Sequence, residues 1–103
     1  MEKIIAGYTV EVTEEGYLTN KDQWNKEIAV EIAKELGIDL TDAHWNVIEF
    51  LQKDFAETEK IPTIRRVKNV GKIGTKELYD LFPEGPLMKA SKIAGLSKPV
   101  SCV

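Results

Sequence analysis

Apolar positions recur at intervals of three and four along most of this chain and alternate only near its start. Tyr8-Thr-Val-Glu-Val-Thr13 alternates with β-branched residues, then Glu15-Gly16 and Tyr17-Leu18 offer a turn and a return, so a short hairpin is predicted. Thr19-Asn20 supplies an N-cap, and Trp24, Ile28, Ala29, Ile32, Ala33 and Leu36 follow at helical spacing. Gly37 ends that helix, since a left-handed residue past the last turn is cheapest as glycine. Thr41 caps a second helix, with Asp42 at its positive end and a stripe of Trp45, Ile48, Leu51 and Phe55. Pro62 breaks the chain and opens a third helix through Thr63, Ile64, Val67 and Val70. Gly71 and Gly74 bracket a turn, and Thr75 caps a short helix with Leu78, Leu81 and Phe82, stopped by Pro83. A last helix runs from Pro86 to Ala94, with Gly95 as its terminator.

The expected fold is mainly α: an orthogonal bundle of about five helices with a small N-terminal β-hairpin, because short helices joined by tight turns do not make a long parallel bundle. Residues 1–95 form the body of a single domain. Residues 96–103, Leu96-Ser-Lys-Pro-Val-Ser-Cys-Val103, lack periodicity, and Pro99 bars an easy helix. They are predicted to be a mobile C-terminal arm, because chain ends are poorly ordered unless tied down.

Composition bounds the function without naming it. With 43% apolar and 30% charged residues in 103, the chain reads as one globular domain. No apolar run approaches the roughly 18 residues that span a bilayer, and the start, Met1-Glu-Lys-Ile-Ile-Ala-Gly7, has no secretory layout. A lone cysteine makes no internal disulfide, so a reducing cytoplasm is the expected home, with no membrane partner. The net charge of −3 hides an asymmetry: residues 1–59 carry fourteen acidic and five basic side chains, residues 60–103 three and nine. Lys60, Arg65, Arg66, Lys68, Lys72 and Lys76 follow one another with no acid between them. Two readings stay open, a solvated face paired with the acidic half, or a surface for a partner or nucleic acid formed by Arg65, Arg66, Lys68 and Lys72.

Candidate chemistry narrows to one side chain. The chain has no GxxxxGK[ST] loop, no GxGxxG fingerprint and no HExxH, so nucleotide hydrolysis, dinucleotide binding and zincin chemistry have no support. His44 is the only histidine, too few for a metal site; its imidazole caps backbone amides or packs at an edge, and a Cys–His pair remains open because partners need meet only in space. Glu14-Glu15 falls in the hairpin turn and serves solubility. No metal and no cofactor are expected. Cys102 is different: a structural thiol is normally buried inside an element, whereas this one is the next-to-last residue. Its thiolate is the reactive form. Lys98 favours that form, the terminal carboxylate opposes it, and exposure screens both.

At the tail the residues become specific. Leu81-Phe-Pro-Glu-Gly-Pro86, Lys92-Ile-Ala-Gly-Leu96, Lys98-Pro99 and Cys102 resemble the signature of the DsrC/TusE family, and the likeness extends to Gly16-Tyr17-Leu18, Trp24, Leu40-Thr-Asp-Ala-His-Trp45 and Leu78-Tyr79. The resemblance implies a helical body, an N-terminal hairpin and a C-terminal arm whose penultimate cysteine, here Cys102, accepts sulfur as a persulfide and passes it on. It implies a sulfurtransferase-type carrier rather than a classical enzyme. Family members that work with dissimilatory sulfite reductase have a second cysteine eleven positions upstream, where this chain has Ser91. A serine hydroxyl cannot attack sulfur to close an internal disulfide, so the pattern is similar to the single-thiol, TusE-type branch. The partners implied are a TusBCD-like donor relay and a tRNA thiolase as acceptor, with the carrier itself a monomer. An accessory, gamma-subunit role beside sulfite reductase subunits is the alternative, and a DNA-binding regulator a more distant one, which the net negative charge disfavours. Lys98 biases the thiolate and Pro99 keeps the arm extended on this reading. Ser97 and Ser101 stand where proline and glycine are usual, which changes arm stiffness but leaves the thiol in place.

Overall fold

Two N-terminal strands pair through a two-residue turn. The computed structural model describes residues 1–99. Strand β1 (Glu2–Ile5) runs antiparallel to β2 (Tyr8–Glu11), with Ile5 opposite Tyr8 and Glu2 opposite Glu11. Ala6 and Gly7 join them at φ 52° and 85°, the positive pair whose twist matches that of the flanking strands. The expected return at Tyr17-Leu18 is only partly made. Gly16 turns the chain there at φ 88° and the Thr13 N–H donates to the Tyr17 carbonyl at 2.8 Å, but one bridge, Val12 to Leu18, is all that follows. Asn20 then draws the chain into a capped turn before a second ladder can grow.

The first helix is divided where one was expected. Asn20 caps only a 3-10 turn, Lys21–Gln23, accepting from the Asp22 N–H at 2.9 Å. Trp24 is extended, and Asn25 caps again, accepting from the Ile28 N–H at 2.9 Å to start α1 (Lys26–Glu35). An asparagine gains more from capping than from a helix interior, where its side chain competes with the backbone. Two of them five residues apart therefore split the segment and leave Trp24 pointing away from the helical stripe. Around Gly37, at φ 75°, the Ile38 N–H reaches back to the Ala33 carbonyl at 2.8 Å and closes α1 as predicted.

Helix α2 (Asp42–Thr58) starts at Thr41, whose N–H donates to Nδ1 of His44 at 3.0 Å. This is a capping box with an imidazole in the usual glutamate position. Helix α3 (Ile64–Asn69) is capped by Thr63, and Pro62 lies buried just before the cap rather than inside the first turn. Helix α4 (Thr75–Leu81) begins after Gly74, which holds the N-cap position expected for Thr75. Helix α5 (Pro86–Ile93) has Pro86 in its first turn and Ala94 at its C-cap, as the sequence indicated.

Helix α5 is the hub: α1, α2 and α4 pack against it, the hairpin rests on α1, and α3 lies against α4. Ile28, Ile48, Leu51, Leu78, Phe82 and Ile93 are fully buried between these elements, each worth about 1.5–3 kcal/mol relative to exposure. Among the described residues, no helix is long and apolar enough to cross a membrane. The architecture brings the C-terminal end of α5 against the 3-10 turn and α2. That junction is where the tail begins.

Candidate functional site

The last turn of α5 leaves no carbonyl unused. The Ala94 N–H donates to Ala90 at 2.9 Å, the Gly95 N–H to Lys92 at 3.3 Å and the Leu96 N–H to Ser91 at 3.0 Å, the paired closing bonds of a left-handed terminator with Gly95 at φ 76°. The two remaining carbonyls are taken by side chains from elsewhere. Trp24 Nε1 donates to the Ile93 carbonyl at 2.7 Å, and Gln52 Nε2 donates to the Ala94 carbonyl at 2.9 Å. The indole lies so close that a Cβ on Gly95 would sit 2.5 Å from Trp24 Cδ1. Beside this root opens a cleft of about 210 Å³, bordered by Lys21, Asp22, Trp24, Gln52, Phe55, Ala94 and Leu96.

Leu96, assigned to the arm from sequence, is instead 4% exposed and part of the core, because the closing bond to Ser91 folds it back onto the body. Pro99 is also buried. Lys98 Nζ lies 2.7 Å from Glu15 Oε2, an exposed ion pair that ties the tail to the Thr13–Tyr17 turn. In the same turn the Tyr17 hydroxyl donates to the Met88 carbonyl at 3.1 Å, and Lys92 Nζ stands 5.5 Å from the ring centroid. Burial pushes the Tyr17 phenol above its ordinary value; Glu15 adds to the rise and Lys98 offsets part of it. Ser91 is fully buried on α5, and its hydroxyl has no hydrogen-bond partner among the described residues. Cys102, the side chain on which the sequence reading centres, lies outside the described residues.

The remaining candidates separate. Arg65, Lys68 and Lys72 are exposed on α3 and the turn after it. Arg66 is not available in the same way: its Nε and Nη2 donate to the Asp54 carboxylate at 3.1 and 2.7 Å, a two-point clasp that fastens α3 to α2. That hydrogen bonding raises the Arg66 guanidinium above its ordinary value, with the Asp54 charge adding to it. His44 is 7% exposed and both ring nitrogens are engaged, Nδ1 by the Thr41 N–H and Nε2 by the Leu81 carbonyl at 2.9 Å. An acceptor Nδ1 and a donor Nε2 describe a neutral imidazole with its proton on Nε2, edge-on to Phe82 at 5.1 Å. The histidine works as a cap between α2 and α4. Among the described residues no three histidine, cysteine, aspartate or glutamate side chains converge as metal ligands do.

Trp24, Gln52 and Glu15 were not legible as site residues. Each meets a partner 42 to 83 residues away, so no local spacing marks it. Trp24 in particular falls on the expected helical stripe; only the two asparagine caps on either side of it hint that it leaves the helix.

Comparison with known proteins gives this geometry a family. The family described as "DsrC like protein" matches residues 4–103. The protein named Sulfurtransferase TusE of Photorhabdus laumondii subsp. laumondii is 40% identical over 107 aligned positions, covering 97% of this chain and 96% of its own. Among solved structures, one titled dissimilatory sulfite reductase I (DsrI) superposes with a TM-score of 0.87 at 35% identity, covering all of both chains. The solution structure of Allochromatium vinosum DsrC does so at 0.82 and 38%, again over both whole chains. With nearly its full length matched in sequence and its whole described fold in three dimensions, the chain belongs to the DsrC-like protein family.

Proposed function

We propose that this protein is a sulfur carrier of the TusE type, receiving sulfane sulfur on Cys102 and handing it to an acceptor protein. The observation that carries the reading is the near full-length likeness to a protein named Sulfurtransferase TusE in a chain whose one cysteine is the next-to-last residue. In the loading step the Cys102 thiolate attacks the outer sulfur of a donor persulfide, the sulfur–sulfur bond of the donor breaks, and the donor leaves as its thiolate. In delivery an acceptor thiolate attacks the outer sulfur held on Cys102, and Cys102 leaves as thiolate. Each step exchanges one sulfur–sulfur bond for another, so no external oxidant or reductant enters. A thiolate is the nucleophile and the leaving group both times.

Ser91 supports the single-thiol version. A hydroxyl does not displace sulfur, so Cys102 releases its cargo only to a second molecule. The donor is then a relay protein bearing a persulfide, and the acceptor a tRNA-thiolating enzyme. Arg65, Lys68 and Lys72, exposed and free of intervening acids, supply a face for an acidic acceptor or the RNA it holds. The second reading, docking to a dissimilatory sulfite reductase as an accessory subunit, is favoured by the likeness to structures described as the gamma subunit of dissimilatory sulfite reductase.

Inorganic polysulfide followed by intact mass measurement tests the carrier. The native chain gains one sulfur and Cys102→Ser gains none; equal gain by both sinks the proposal. Co-purification separates the two readings, since siroheme-bearing subunits in the eluate favour the second and a thiolation relay the first.

A further inference from the structure

Delivery through a chain end depends on where that end starts and in which direction it leaves. Here the start is over-determined. The backbone bonds of Gly95 and Leu96 already terminate α5, and most helices stop there, leaving their outermost carbonyls to water. This helix has two more restraints, the Trp24 N–H on Ile93 and the Gln52 amide on Ala94, one from the link before α1 and one from α2. The indole is also pressed against Gly95, with no room for a methyl group between them.

We propose that Trp24 and Gln52 are positioning residues for sulfur handover: together they clamp the last two carbonyls of α5 and so fix the helix terminus from which the chain runs across the body toward Cys102. The inference rests on the carrier reading for its functional half. Residues 96–99 stay on the body, through the Leu96 N–H on Ser91, the Lys98–Glu15 ion pair and the buried Pro99. Only three residues then separate the last held position from Cys102, a span of at most about 10 Å at roughly 3.3 Å per residue, and over so short a tether a shift of the α5 terminus is not averaged away. The clamp therefore bears on the effective concentration of the thiol at an acceptor's active site, which falls when a tethered group is misplaced. Both residues act through the backbone they hold.

The variants that isolate this are Trp24→Phe, which keeps an aromatic ring against Gly95 and deletes the N–H, and Gln52→Met, which keeps length and deletes the donor. Carrier loaded with polysulfide is given either dithiothreitol or a purified tRNA 2-thiouridylase as acceptor. The combined variant is expected to load normally and to lose sulfur to dithiothreitol at the native rate. Toward the enzyme its KM should rise roughly tenfold with kcat little changed, as misplacement without chemical damage predicts. In parallel, a spin label on Cys102 and another at a Glu31→Cys site on α1 report the distance distribution, whose centre should shift in the clamp variants. An unchanged distribution with native handover overturns the proposal, and so does a lowered melting temperature accompanied by native KM and kcat while the protein is folded. If the native chain takes up no sulfur, the carrier reading fails by itself, and the label distances alone decide the clamp.

Discussion

The most crowded glycine among the described residues gives the sharpest test. Gly95 has φ 76°, and a Cβ built there lies 2.5, 2.7 and 2.8 Å from Trp24 Cδ1, Cγ and Cβ. Gly37 has nearly the same φ, 75°, ends a helix in the same way, and has nothing within 4 Å of its would-be Cβ. Alanine at either position bears the left-handed backbone penalty of about 1–2 kcal/mol. Only at 95 is there a clash with atoms that cannot swing aside, because the indole is held by its bond to Ile93. Overpacking of that kind costs about 1–3 kcal/mol, and pushing the ring away forfeits about 1 kcal/mol more for the N–H bond. Gly95→Ala should therefore destabilise by at least about 2 kcal/mol beyond Gly37→Ala, read as urea midpoints by circular dichroism at unchanged slope. At about 4–8 °C per kcal/mol for a domain this size, the two melting temperatures should differ by roughly 10 °C or more. Adding Trp24→Ala completes a double-mutant cycle: without the indole, the penalty at 95 should fall to that at 37. Equal penalties in the native background, or an excess at 95 that survives removal of Trp24, would refute the reasoning.

Two further outcomes follow from buried polar groups. The Ser91 hydroxyl is sealed in without a partner among the described residues, and an unmet buried hydroxyl costs about 1–3 kcal/mol, so Ser91→Ala should raise the urea midpoint while leaving polysulfide loading of Cys102 intact; a loss of stability would mean the hydroxyl has a partner after all. Tyr17 has a raised folded value, caused first by burial and then by Glu15. The folded state therefore favours the neutral phenol, and this contribution is fully present below about pH 10 and lost as pH rises through the higher folded value. The native chain should lose more stability than Tyr17→Phe between pH 9 and 12, and parallel pH curves would contradict the assignment.

What the sequence made legible was whatever short-range pattern decides. The stripes on α1 and α2, the glycine terminators at 37 and 95, and Pro86 opening α5 all appear in the structure, because apolar spacing and caps act within a few residues. The misplacements have the same origin. Gly16 is a strong turn signal and points to pairing of Tyr8–Thr13 with Tyr17-Leu18, yet Ala6-Gly7 closes the tighter two-residue turn, so the Tyr8–Glu11 strand pairs with Glu2–Ile5 and only the single Val12 bridge reaches Leu18. The segment 19–36 reads as one helix by its stripe, and two competing asparagine caps divide it. Leu96 looks like the start of a polar tail, and its burial depends on a fold-back bond that no periodicity reveals. At the site, the thiol stands out by position alone, whereas the residues that hold its root are recruited across the fold. Arg66 shows the converse: part of a basic run in sequence, it meets a carboxylate twelve positions earlier and becomes a fastener between helices.

The root of the tail also bears on why a single thiol suits this chain. Position 91 is buried within the helix that the clamp immobilises, and the Ser91 carbonyl holds Leu96 in the core. A thiol placed there would be sealed as the hydroxyl is. Any exchange between it and Cys102 would require part of this end of the molecule to open. Exposing Leu96 alone costs about 1.5–3 kcal/mol, with about 1 kcal/mol for its backbone bond. A carrier that gives its sulfur to another protein avoids that opening, since both bond exchanges take place at the far end of the tail. On the proposed reading, a closed root and a serine at 91 are consequences of the same mode of working: the body stays rigid and the acceptor brings the second nucleophile.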